Sequence, residues 1–78
     1  MARSRTAAVD RAALAKECLE AIRSWPGCET VREIGILASG PTDFLVRVIE
    51  YGDAVKRKAD RAALCVQREK SRIYHLAT

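Results

Sequence analysis

Four side chains in this sequence can bind a soft metal: Cys18, Cys28, Cys65 and His75. They fall into two pairs, each ten residues apart. Paired cysteines of structural zinc sites stand about two to four residues apart. The spacing therefore favours free thiols, an ordinary state for a buried cysteine. An odd cysteine count without a secretory signal points the same way, away from a disulfide framework. His75 is the only histidine. No motif sets a nucleophile or a carboxylate beside it, as a catalytic triad requires. Gly27, Gly35, Gly40 and Gly52 do not make a phosphate-binding loop, and the carboxylates are scattered. The chain reads as a non-enzyme that needs no cofactor and no metal.

The stretch Lys56-Arg57-Lys58 is more informative. Three cations at the start of a helix oppose the helix dipole. An anion held by the free N–H groups of that first turn would relieve them. Arg57, Arg61, Arg68 and Arg72 then follow at steps of four, seven and four, within one narrow stripe, with Leu64 beside it. Lys56, Arg57, Lys58, Arg61, Arg68 and Arg72 are thus the candidate surface for nucleic acid or another acidic partner. The commoner alternative is a solvated basic face. The net charge of +4 is unevenly spread. Asp53 to Thr78 holds seven basic and three acidic residues, Met1 to Arg5 adds two arginines, and the segment between them is net acidic.

The elements that carry these residues can be read from periodicity. Residues 31–51, VREIGILASGPTDFLVRVIEY, give two apolar strands around a Gly40-Pro41 turn. With Ser39 to Asp43 as the loop, Ala38 faces Phe44, Ile36 faces Val46, and Ile34 faces Val48, all on one side. The other side pairs Leu37 with Leu45, Gly35 with Arg47, Glu33 with Ile49, and Val31 with Tyr51. Glu33 and Arg47 become diagonal neighbours of opposite charge there. The first side is wholly apolar and should meet the helices. The second is half apolar and covered by no expected element, so Leu37, Leu45, Ile49 and Tyr51 are the candidate self-association surface. A hairpin with free edges is marginal alone and recruits other strands.

Before the hairpin, Leu14, Cys18, Ile22 and Trp25 share one helical face. Thr6 or Asp10 is the expected cap, and Pro26-Gly27 the stop. After it, a second helix is expected from Asp53, which would cap it. Val55, Ala59, Ala62, Ala63 and Val66 form its apolar face, with Ile73 in phase if the helix continues. The end, RIYHLAT, is either a last helical turn or a short strand.

The fold class that follows is α+β: a small two-layer α-β-β-α domain over residues 6–78. Its antiparallel hairpin packs on two helices, with a short third strand left open at the C-terminus. Residues 1–5 are expected to be a flexible basic tail. With 78 residues and 49% apolar composition, the chain should fold as one domain with a thin stability margin. No apolar run approaches the ~20 residues that span a bilayer. The charged start is neither a signal peptide nor, given Asp10, Glu17 and Glu20, a transit peptide. The expectation is a cytoplasmic protein without membrane contact.

The order helix, strand, Gly-Pro loop, strand, then a lysine-rich helix start with Ala-Ala behind it resembles a double-stranded-RNA-binding domain. Gly40, Pro41, Phe44, Val46, Val48, Lys56, Arg57, Lys58, Ala59, Ala62 and Ala63 carry the resemblance. It implies that Lys56, Arg57 and Lys58 grip phosphates across a groove. The match covers about half of the chain and is one strand short. Thr42 and Asp43 stand where that family has a histidine, and Gly52 alone remains of its glycine-rich approach to the lysines. Otherwise the chain is similar to short bacterial proteins of unassigned role. The expected functions are, first, an interaction module that forms a homodimer through its hairpin and, second, binding of double-stranded RNA or DNA through the basic helix.

Overall fold

The computed structural model describes residues 6–41 and 43–77. The basic tail expected over 1–5, Thr42 of the loop and the terminal Thr78 lie outside them. The element order is β1 (Ala7–Val9), α1 (Arg11–Arg23), β2 (Glu33–Ser39), β3 (Asp43–Glu50), α2 (Lys56–Ser71) and β4 (Tyr74–Leu76). The fold is α+β, as the periodicity predicts.

Asp10, not Thr6, caps α1. Its carboxylate accepts from the Ala13 N–H at 2.7 Å, which satisfies one of the orphan donors of a helix start. Leu14, Cys18 and Ile22 are fully buried along one side of the helix, as a four-residue repeat demands. Trp25 is half-buried against the same core.

The hairpin β2–β3 has the expected register from Ile34↔Val48 to Ala38↔Phe44, and Ser39 and Asp43, expected in the loop, form one further pair. Ile34, Ile36, Phe44 and Val46 are buried on the inner side, where both helices pack. Val48 is half-buried, and Ala38, nearer the hairpin tip, is exposed. Below Ile34 the register departs from expectation. A bulge between Glu33 and Ile34 sets Glu33 opposite Glu50 rather than Ile49. An extra residue on one strand is the physical content of such a bulge, and here it is Ile49. Past the bulge Val31 is fully buried rather than on the outer side. Glu33 and Arg47 form no ion pair; the salt bridge found among the described residues joins Lys70 to Glu17.

Helix α2 starts later than expected. Its N-cap is Val55, which supplies no side-chain hydrogen bond. Asp53 is not the cap: its N–H donates instead to Thr30 Oγ1 at 3.0 Å. Val55 and Ile73, expected on the apolar face, are exposed, whereas Ala59, Ala62, Ala63 and Val66 are buried. These small residues let α2 lie close to β3 and α1.

Two features were not expected from periodicity. Ala7–Val9 is a strand rather than a helix start, and its partner is the chain's other end. β1 and β4 pair in parallel, Ala7↔Tyr74 to Val9↔Leu76. Thr6 Oγ1 and His75 Nδ1 share a hydrogen bond of 2.7 Å beside that pair. The C-terminal strand is therefore not a third strand of the hairpin. It runs beside β3 without sharing its ladder. Glu17, Lys70 and Tyr74 tie α1, α2 and β4 together: the Tyr74 hydroxyl donates to Glu17 at 3.0 Å, and Lys70 stands 3.5 Å from the same carboxylate oxygen.

Candidate interaction surfaces

The outer side of the hairpin carries Leu37, Leu45 and Ile49, which are 48, 36 and 56% exposed. Leu37 and Leu45 stand directly opposite each other, with Gly35 and Arg47 as the next pair on that side. Ile49 completes the strip, on the same side of β3 as Leu45 and Arg47. Its side chain lies across Gly35, where a Cβ would come within 2.9 Å of its terminal methyl. Glycine in a strand interior commonly marks such a close approach. Tyr51, assigned to this surface by simple alternation, does not belong to it. It is half-buried against the core, and its hydroxyl donates to Asp60 of α2 at 2.6 Å. That bond is the main reason its phenol titrates above the usual range.

The two edges of the hairpin differ. On the β3 side, the Val46 N–H points away from β2 and donates to Gln67 Oε1 of α2 at 2.9 Å. A helix side chain thus occupies the place of a neighbouring strand. A groove of about 420 Å³ continues along this edge between Val46, Val48, Tyr51, Asp60 and Leu64. On the β2 side, no strand pairs with the free edge among the described residues. Gln67 and Gly35 are the two residues that sequence reasoning missed. The glycine inside a strand was a usable signal; nothing in the sequence singles out Gln67.

The basic candidates lie elsewhere. Lys56, Arg57, Lys58, Arg61, Arg68 and Arg72 are all exposed. Five lie on α2, and Arg72 is its C-cap. Arg57, Arg61, Arg68 and Arg72 occupy the side of α2 turned away from Ala59, Ala62, Ala63 and Val66, whereas Lys56 lines the groove along β3 with Ala63 and Tyr51. The first turn of α2 has neither an acidic residue nor a side-chain cap. Asp60, the nearest acid on the helix, is engaged by Tyr51. The Lys58 stem passes 3.8 Å from where a Gly27 Cβ would stand, which ties one of these cations to the loop after α1.

The soft-ligand residues are dispersed. Cys18 and Cys28 are buried and Cys65 is partly so, all as free thiols. Burial pushes the Cys18 thiol up to about 11 and raises Cys28 as well. Among the described residues no three of His, Cys, Asp and Glu are grouped to hold a metal ion. A cleft of about 680 Å³ is lined by Arg23, Arg32, Glu29, Glu50 and Asp53. Its mixed charges favour no one ligand sign. No helix of the described residues is long and apolar enough to cross a membrane.

No protein-family model, no curated protein and no solved structure matches this chain.

Proposed function

We propose that this chain is a small non-enzymatic interaction module that self-associates through its β-hairpin. The observation that carries the reading is the strip Leu37, Leu45 and Ile49, exposed together on a sheet face that no described element covers. Three large aliphatic side chains on one small outer face are costly to leave in water, at roughly 25 cal/mol per Å² of apolar surface. Contiguous apolar surface of this kind marks sites of association. The strip falls well short of the ~800 Å² per partner of a standard stable interface, so the expected complex is a reversible homodimer. Size-exclusion chromatography with light scattering over a concentration series tests this. Mass rising from one chain toward two is the expected result. A constant monomer mass up to the solubility limit contradicts it.

A second reading is binding of double-stranded RNA or DNA through α2. What supports it is the exposed row Lys56, Arg57, Lys58, Arg61, Arg68 and Arg72, continuous with a helix start that lacks any acidic or side-chain cap. The resemblance of this stretch to a double-stranded-RNA-binding domain points to phosphate as the ligand. Phosphate contacts release counterions, so affinity would fall steeply with salt. Fluorescence polarisation against duplex RNA, duplex DNA and single strands at low and rising salt is the test. Duplex binding that weakens with salt and is lost in Arg57→Glu is expected on this reading. Absence of binding at low salt removes it. The two readings use different sides of the domain and do not exclude each other.

A further inference from the structure

Taking hairpin self-association as its premise, we infer that the second copy docks edge to edge, β2 against β2. The two strands run antiparallel about a two-fold axis at Ile36.

The phase of the ladder carries this. In an antiparallel pair, residues alternate between positions that bond across the pair and positions whose N–H and C=O point away from it. The Val46 N–H is bonded to Gln67 on the far side of β3, so Ile36↔Val46 is a pair of the second kind. Two-residue steps place Ile34↔Val48 and Ala38↔Phe44 in the same class. The N–H and C=O groups of Ile34, Ile36 and Ala38 therefore point out of the free edge of β2. No side chain or backbone group meets them among the described residues. The β3 edge offers no equal site, because Gln67 blocks it at Val46 and β4 runs beside it.

These three open positions are symmetric about Ile36. An antiparallel second copy centred there sets Ile36 against Ile36 and Ile34 against Ala38, twice. Each such pair exchanges two N–H···O bonds, so every open group on the edge between Ile34 and Ala38 is satisfied. A shift of the register by one residue pairs open groups with none, and a shift by two leaves part of the edge unmet. For a second copy, backbone geometry thus selects one register.

The outer side chains fit the same register. Leu37 of one copy comes opposite Gly35 of the other, the position with no side chain of its own. There it meets Ile49, which lies across that glycine. Leu45, Leu37 and the second copy's Ile49 then form one apolar band across the joint, repeated by symmetry. Glu33, the sole charge on β2, comes opposite Ser39, so no like charges face each other directly. Sheet edges are normally blunted by lysine, proline or a central bulge. From Ile34 to Ser39 the β2 edge has none of these. The product is a four-stranded sheet, β3-β2-β2-β3, with the helices of both copies on one side.

Mixed-isotope NMR on the unmodified protein reads this directly. An equimolar mixture of labelled and unlabelled chains should give intermolecular contacts between the Leu37 methyls and the Gly35 α-protons. Raising the concentration should abolish fast amide exchange at Ile34, Ile36 and Ala38. Exchange at Gly35 and Leu37, already bonded within the hairpin, should not change. Ala38→Pro removes one edge donor that the hairpin itself does not use, and should lose the dimer while keeping the monomer's circular dichroism. A dimer whose Ile34, Ile36 and Ala38 amides exchange equally at all concentrations overturns the edge register but leaves hairpin self-association standing. A chain that stays monomeric overturns both.

Discussion

At Gly52 the backbone has φ +60°, and a Cβ there would stand 2.1 Å from the Thr30 carbonyl oxygen. The turn before α2 is thus pressed against the loop before β2, a contact only glycine permits. Gly52→Ala should destabilise the fold by at least the ~1–3 kcal/mol of a strained left-handed residue. Urea titration checks this, and an unchanged midpoint would count against the described contact. Cys18 makes a different point. Burial raises its thiol from the ordinary 9.0 to about 11, with Lys70 pulling it back and Glu17 adding to it. The folded state therefore holds a proton that the unfolded chain releases first. Stability from this group is complete below pH 9.0 and drains away as pH rises toward about 11. The loss is on the order of 2 kcal/mol, since each pKa unit is about 1.4 kcal/mol. Tyr51 and Tyr74, raised chiefly by their hydrogen bonds to Asp60 and Glu17, act in the same direction as pH rises past their ordinary 10.0. Urea midpoints should fall across that window and fall less in Cys18→Ala. With a thiol reagent at neutral pH, Cys65 should label first, and Cys18 and Cys28 only as the chain opens.

Among the elements, α1 and α2 were legible because each repeats its apolar residues at the helical period, and the hairpin because two apolar runs flank a Gly-Pro turn. Leu14, Cys18 and Ile22 announce a helix, and the apolar runs Ile34–Ala38 and Phe44–Val46 around the Gly40-Pro41 turn announce a hairpin. β1 and β4 were not legible as a pair. Each is three residues long, too short for a period to register, and their pairing spans nearly the whole chain. The bulge at Glu33 was hidden for a related reason: alternation continues through it in sequence while the facing partner shifts by one. With Ile49 as the extra residue, Glu50 comes opposite Glu33 and Tyr51 is left to reach Asp60. The start of α2 was misplaced because Asp53 is a good capping residue by type, yet Gly52 and Thr30 hold its backbone outside the helix. Gln67 shows how one side chain can end a sheet. Gln67→Ala should leave the Val46 N–H without its protein partner, at a cost of about 1 kcal/mol. Faster hydrogen exchange at Val46 is the specific readout. If that amide exchanges as before, Gln67 is not its acceptor in solution.

For the whole molecule, the principal extents of 41 × 25 × 17 Å describe an elongated, flattened body. One broad side is the outer hairpin strip, and the basic row of α2 lies on the helical layer. This separation lets single substitutions distinguish the roles. Arg57→Glu alters the basic row and should leave self-association intact. Leu37→Asp places a charge at the centre of the strip, where the edge register sets it against Ile49 and Gly35 of the second copy. It touches neither the inner core nor α2. Sedimentation equilibrium of the natural chain beside Leu37→Asp is therefore the most direct measurement. The natural chain should approach twice its 8.6 kDa mass as concentration rises, while Leu37→Asp, with an unchanged circular dichroism spectrum, stays at the single-chain mass. Equal masses for the two proteins at every concentration would contradict association through the hairpin.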